Sequence, residues 1–373
     1  MRKLLVVIGC LLVFNICSGQ PLYIDRGVDT SDNKIVNTIN FYRQYLSEIR
    51  YDALPDFEKY WGAKDVRQNK IPDPLLYALT SNFPTYLASI SRTVIYVKVL
   101  KDYVHLKTLF ASSDSLNNVS VTCITNHYIS FDAAGNPHFV NPVSIYTKNW
   151  KTVQLRNVTY KFPPYHRFDL SKANTLLSKI KKLEKDWNRK PMRFEYYFTS
   201  TKEELSHLRG FDFVITMGNR DSPSGMADHK NNIIYASGLG EDYFHEVVHL
   251  YLNPQFEDSP LGEGLATFYG GSKGKSLNWH LRYLNEYLQK HPELDLNSFS
   301  NADFQGLNVD HNSNMTYTLQ GLLCLLAYQK NGPSGLKRIM TYSSLQDIFS
   351  KEFNIQAGQW NSFIRNTLQK ICR

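Results

Sequence analysis

Between residues 33 and 52 the apolar positions Ile35, Val36, Ile39, Tyr42, Tyr45, Leu46 and Ile49 recur every three or four residues, which predicts an amphipathic helix. A second helix is expected near residues 74–80. Beyond it the period changes. The segments VIYVKVL, YVHLKTLF, VSVTCIT, HYISFD, VSIYT, TVQL and VTYKF are short, rich in β-branched and aromatic residues, and separated by turn-forming stretches such as SDSLNN and DAAGNP. They predict an antiparallel sheet with helices ahead of it. From about residue 170 a helical period returns in LSKANTLLSKIKKLEKDW, followed by strand-like MRFEYYFTS, a short helix TKEELSHL, and the strands FDFVITM and NNIIYAS. This alternation predicts an α/β lobe. The expected class is α+β, with an N-terminal accessory domain over residues 20–168 and a second domain over 169–373.

The first residues follow another pattern. Arg2 and Lys3 precede an apolar run from Leu4 to Ile16, and the small residues Cys17 and Gly19 suit cleavage before Gln20. Residues 1–19 therefore read as a secretory signal peptide of a secreted or periplasmic protein. The run is short for a membrane span, and no later segment is apolar for long enough. Loss of the leader lowers the formal charge from +8 to +6. Lys and Arg are scattered without a dense patch or a nucleic-acid motif, so nucleic-acid binding is not expected. Cys123, Cys324 and Cys372 remain, and Cys324 within LLCLLAY reads as a buried, unpaired thiol. His105, His127 and His138 stand alone among the strands, so this half of the chain offers no chemistry. Its expected role is docking, shielding a cleft or recruiting substrate.

Chemistry concentrates in EDYFHEVVHLYLNPQFEDSPLGEGLATFYGG, residues 241–271. A helix beginning near Glu241 would place His245 and His249 one turn apart on one face, where two imidazoles can share a cation. Glu246 adjoins that face and can reach a water there without being a ligand. Phe244, Val247, Val248 and Tyr251 form an apolar opposite face. Asn253-Pro254 would end the helix. A catalytic zinc needs three protein ligands and one open position. The metzincin pattern HExxHxxGxxH is excluded as the source of the third, because Leu252 replaces its glycine and Gln255 its histidine. Glu257 and Asp258 lie in the following loop. Glu263 opens a second helix expected to be capped by Asp258 or Ser259, with Pro260 in its first turn and Gly270-Gly271 as its stop.

HEVVH followed by GEGLATFYGG resembles the gluzincin group of zinc peptidases, the thermolysin-like and aminopeptidase-like clan, whose second helix carries a ligand glutamate in a similar signature. The thirteen residues between His249 and Glu263 are fewer than in its best-known members. YTLQGLLCLLAYQKNGPSGLKRIM and the closing LQDIFSKEFNIQAGQWNSFIRNTL are also similar to peptidase-MA-like domains. The resemblance spans about residues 170–370. It implies an α/β lobe and a mostly helical C-terminal lobe with the metal site between them. It also implies Zn2+ held by His245, His249 and Glu263, Glu246 as general base, and Tyr317 as hydrogen-bond donor to the oxyanion, with His311 as a competitor. Thr267, Asp242 and Asp310 are unranked candidates for orienting the histidines. The segment SGMADHKNNIIYAS would border the substrate. Alanine at 227 stands where aminopeptidases carry an amine-binding glutamate, so an endopeptidase acting on peptides or proteins is favoured. The alternative is a secreted binding or scaffold protein that keeps the fold without turnover.

Overall fold

The computed structural model describes residues 21–50, 53–73, 76, 90–215, 222–300 and 309–373. The leader and the helix expected near 74–80 therefore fall outside the described residues, apart from Leu76. The class is α+β. By its internal contacts the chain forms two compact units, Met1–Trp150 with Glu203–Arg220, and Lys151–Lys202 with Asp221–Arg373.

In the first unit, β1 (Leu22–Ile24) leads to helix α1 (Asn33–Glu48). Asp32 caps α1 by accepting from the Lys34 amide, and Ile35, Thr38, Ile39, Tyr42, Tyr45 and Leu46 form its buried stripe, as the period predicts. The sheet continues through β2 (Ser91–Val99), β3 (Val104–Ser113), β4 (Val119–Phe131) and β5 (Pro137–Val140). β2 to β5 are antiparallel neighbours, while β1 runs parallel to β2. VSVTCIT and HYISFD are one long strand, and VSIYT is not a strand at all. Asn141 accepts from the Val143 amide, Pro142 takes the first helical position, and Pro142–Tyr146 closes into a helical turn. His127, one of the histidines standing alone among the strands, is buried with its Nε2 3.8 Å from the buried Asp73.

TVQL and VTYKF form β6 (Lys151–Leu155) and β7 (Val158–Phe162), which belong to the second unit. β7 leads through helix α2 (Leu170–Trp187) to a parallel neighbour, β8 (Phe194–Thr199). The chain then makes helix α3 (Lys202–Leu208) and β9 (Phe211–Val214), and β9 pairs with β4 in the first unit's sheet. FDFVITM is therefore a strand, but not of the lobe to which its sequence position assigns it. A strand's period reveals its burial and not its partner. The second sheet is completed by β10 (Ser224–Asp228) and β11 (Ile233–Ser237), in the order β10-β11-β8-β7-β6. β10 is antiparallel to β11 and forms the edge.

The rest of the second unit is helical: α4 (Phe244–Leu252), α5 (Gly262–Gly270), α6 (Leu277–Lys290), α7 (Met315–Ile339) and α8 (Trp360–Ile371). α7 is broken at Asn331 and Gly332, where Gly332 takes φ 56° before Pro333, so the Gly-Pro turn divides two helical segments. No helix among the described residues is long and apolar enough to cross a membrane. Cys123, Cys324 and Cys372 are free, and Cys324 is buried as its apolar run implies.

Candidate metal centre

α4 begins at Phe244, three residues later than the sequence suggests. Glu241 is held outside it: its Oε1 accepts from the Asp169 amide at 2.7 Å and pairs with His166 Nε2 at 2.9 Å. The Tyr196 hydroxyl donates to the Gly240 carbonyl and accepts from the Tyr243 amide. These bonds fasten the lead-in, and the helix starts where they end. Every residue of α4 is buried, including both histidines and Glu246.

α5 also starts late, at Gly262, with no side-chain cap, and Pro260 lies before it. Its glycines bring the site helices together. A Cβ on Gly264 would lie 2.4 Å from Gln320 Cβ on α7, and one on Gly270 would lie 2.4 Å from the His245 amide nitrogen on α4. Gly271 ends α5 at φ 73°, where a Cβ would meet the Lys275 carbonyl.

Three atoms converge. His245 Nε2 lies 3.1 Å from His249 Nε2 and 3.2 Å from Glu263 Oε2, and His249 Nε2 lies 3.4 Å from the same oxygen. The trio is a group that could hold a metal ion. A cation 2.0–2.2 Å from three tetrahedrally arranged ligand atoms sets them roughly 3.3–3.6 Å apart, close to the observed triangle. The far side of each ring fixes the proton. His245 Nδ1 donates to the Gly271 carbonyl at 2.7 Å, and His249 Nδ1 faces Asn253 Oδ1 at 3.1 Å. With each Nδ1 facing an oxygen, both Nε2 atoms turn towards each other and a carboxylate oxygen, an arrangement that calls for a proton or a cation at its centre. The side-chain electrostatics agree. Burial pulls His249 down, but the Glu263 carboxylate outweighs it and His249 is pushed up to about 9. Burial raises Glu263, yet the two histidines hold it well below the usual carboxylate range. Its side chain is 40% accessible, so solvent moderates that pull.

Glu246 lies beside the trio, 5% exposed, and burial raises its pKa against the opposing pull of His245 and His249. The Ala227 amide of β10 donates to its carboxylate. Tyr317, in the first turn of α7, lies beside Glu263, and burial together with the Glu263 and Glu246 charges raises its phenol pKa. Five residues singled out in the sequence are thus brought together: His245, Glu246, His249, Glu263 and Tyr317. The competitors are not. Glu257 and Asp258 are exposed, and His311 is exposed with its main-chain carbonyl taken by Lys273 Nζ. None of the proposed orienters serves the histidines. Asp242 pairs with Lys179, Asp310 accepts from the Tyr283 hydroxyl, and the buried Thr267 hydroxyl has no partner. Gly271 and Asn253 take that role instead. Asn253 stands one helical turn after His249, a spacing that would have pointed to it. A main-chain carbonyl has no side-chain signal to find. The chain matches no protein-family model, and no curated protein is significantly similar to it.

Proposed function

We propose that this protein is a secreted zinc-dependent peptidase that hydrolyses internal peptide bonds. The observation that carries the proposal is the convergence of His245 Nε2, His249 Nε2 and Glu263 Oε2 beside a buried glutamate that is not part of the trio. Two imidazoles and one carboxylate are the donor set of a catalytic zinc with an open fourth position. Secretion rests on the residue 1–19 pattern alone.

Zinc would supply a Lewis acid that polarises the substrate carbonyl and makes water acidic near neutral pH. The remaining roles fall to the chain. Glu246, its basicity raised by burial, accepts a proton from the attacking water and returns it to the leaving amine. Tyr317 donates to the carbonyl oxygen as charge develops there, from a position beside Glu263. β10 borders Glu246 and is a sheet edge, so an extended peptide can align along it. No acidic side chain stands at Ala227 to take a substrate amine, which favours internal bonds over aminoterminal ones.

The test is metal content and hydrolysis measured together. The purified chain is expected to bind one zinc and cleave casein or members of a peptide library, and to lose both on His249→Ala and on Glu263→Ala. Retention of zinc by Glu263→Ala would move the third ligand elsewhere. Stoichiometric zinc without cleavage of any peptide would favour a scaffold role.

A further inference from the structure

Tyr243 precedes α4 by one position and is 7% exposed. Its ring centroid lies 6.2 Å from that of His245. On its other side β10 lacks a side chain: a Cβ at Gly225 would come within 2.7 Å of Tyr243 Cε1 and 2.6 Å of Glu246 Cγ. The ring is thus seated among His245, the buried glutamate and the edge strand. Gly225 leaves the space that both side chains occupy.

The hydroxyls of the two tyrosines reach the site from different elements, α7 and the lead-in to α4. That of Tyr317 lies beside Glu263. That of Tyr243 makes no hydrogen bond, and only its main-chain amide is engaged, with Tyr196. Phenylalanine would pack the same space. The residue is nearly buried, yet its hydroxyl is not among the sealed, unpartnered side-chain atoms, so it opens on solvent where a substrate can reach it. A phenol carries its proton at neutral pH and is able to donate.

We propose that Tyr243 is a second catalytic phenol, whose hydroxyl donates to the peptide carbonyl oxygen as it takes on negative charge, ready to do so without breaking an existing bond. The inference rests on the peptidase reading above. It is tested by comparing the zinc-loaded wild-type chain with Tyr243→Phe in three measurements. These are zinc affinity by competition titration, hydrolysis of a peptide that the wild type cleaves, and calorimetric binding of a phosphinic peptide as a tetrahedral anion mimic. The variant is expected to keep wild-type zinc affinity and melting temperature, to lose about 100-fold in kcat with little change in KM, and to bind the phosphinic peptide less tightly by a similar factor. Unchanged kcat and phosphinic-peptide affinity in an active protein overturn the assignment and leave the peptidase reading standing. Weakened zinc binding by the variant also overturns it, by making Tyr243 a support of the metal ligands. A wild type that neither cleaves peptides nor binds the phosphinic peptide overturns the peptidase reading, and this inference with it.

Discussion

Asn253 and the Gly271 carbonyl give the two histidines their tautomers, because an oxygen acceptor behind each Nδ1 leaves the opposite nitrogen bare. Asn253 can be removed without touching a ligand. Asn253→Ala is expected to weaken zinc binding about 10–100-fold, a typical loss for such orienting partners, while Asn253→Asp restores most of it. Competition titration with a chromogenic chelator reads both. Equal affinity in all three proteins would show that the α4 backbone alone orients His249. At this scale the sequence reads well where chemistry needs particular side chains, and HEVVH with Glu263 is such a case. It reads poorly where an ordinary residue acts through position. Thr267, Asp242 and Asp310 have suitable groups, but Asp242 and Asp310 are taken by Lys179 and Tyr283.

α4, α5 and α7 are drawn together by missing side chains. Gly270 is the sharpest instance, because a methyl group there would press on the backbone of α4 at His245. Alanine favours a helix over glycine by about 1 kcal/mol, but overpacking against backbone costs about 1–3 kcal/mol. Gly270→Ala is therefore expected to lower the melting temperature and, by displacing His245, to weaken zinc binding as well. An unchanged melting curve would mean that the helices can part without cost.

Glu352 fastens a different pair of segments. Its carboxylate accepts from Arg338 Nε and a terminal guanidinium nitrogen at 2.7 Å each, and Lys330 Nζ donates to its carbonyl. The Arg338 bond holds the Glu352 pKa below its ordinary 4.5, against the effect of burial. A depressed carboxylate stabilises the fold above its unfolded pKa and loses that contribution as pH falls through the folded value. Arg338 is 43% accessible, so the contribution is about 1 kcal/mol. Glu352→Gln should melt roughly 2–4 °C lower at pH 7, with the gap closing below about pH 4.5. A gap that persists in acid would assign the effect to packing.

The boundaries of elements were less legible than their existence. α1 and α2 fall where their periods put them, and Asp32 and Asp169 cap them. VSIYT has the composition of a strand but follows an Asn-Pro start, and local capping prevails over β propensity. α4 starts late because Glu241 and the Tyr243 amide are held by His166, Asp169 and Tyr196, all distant in sequence.

The two sheets show the same limit for the whole chain. Strand character in TVQL, VTYKF and FDFVITM is plain from alternation, yet partners were misassigned: β6 and β7 join β8, and β9 joins β4. Each sheet is completed by distant segments that linear reading does not connect. A metal held by the trio would link the site to stability. A ligand that binds only the folded state at 100 times its Kd adds about 2.7 kcal/mol. Zinc is accordingly expected to raise the melting temperature of the wild type, EDTA to reverse the gain, and His249→Ala to show neither effect. An equal zinc shift in that variant would place the metal elsewhere.

The central claim, that a buried carboxylate beside a two-histidine, one-glutamate centre performs peptide hydrolysis, is tested most directly by zinc content and peptide cleavage in Glu246→Gln. The account predicts one zinc per chain, as in the wild type, with cleavage reduced by about 100-fold or more. A variant that holds its zinc and cleaves as fast as the wild type would contradict it.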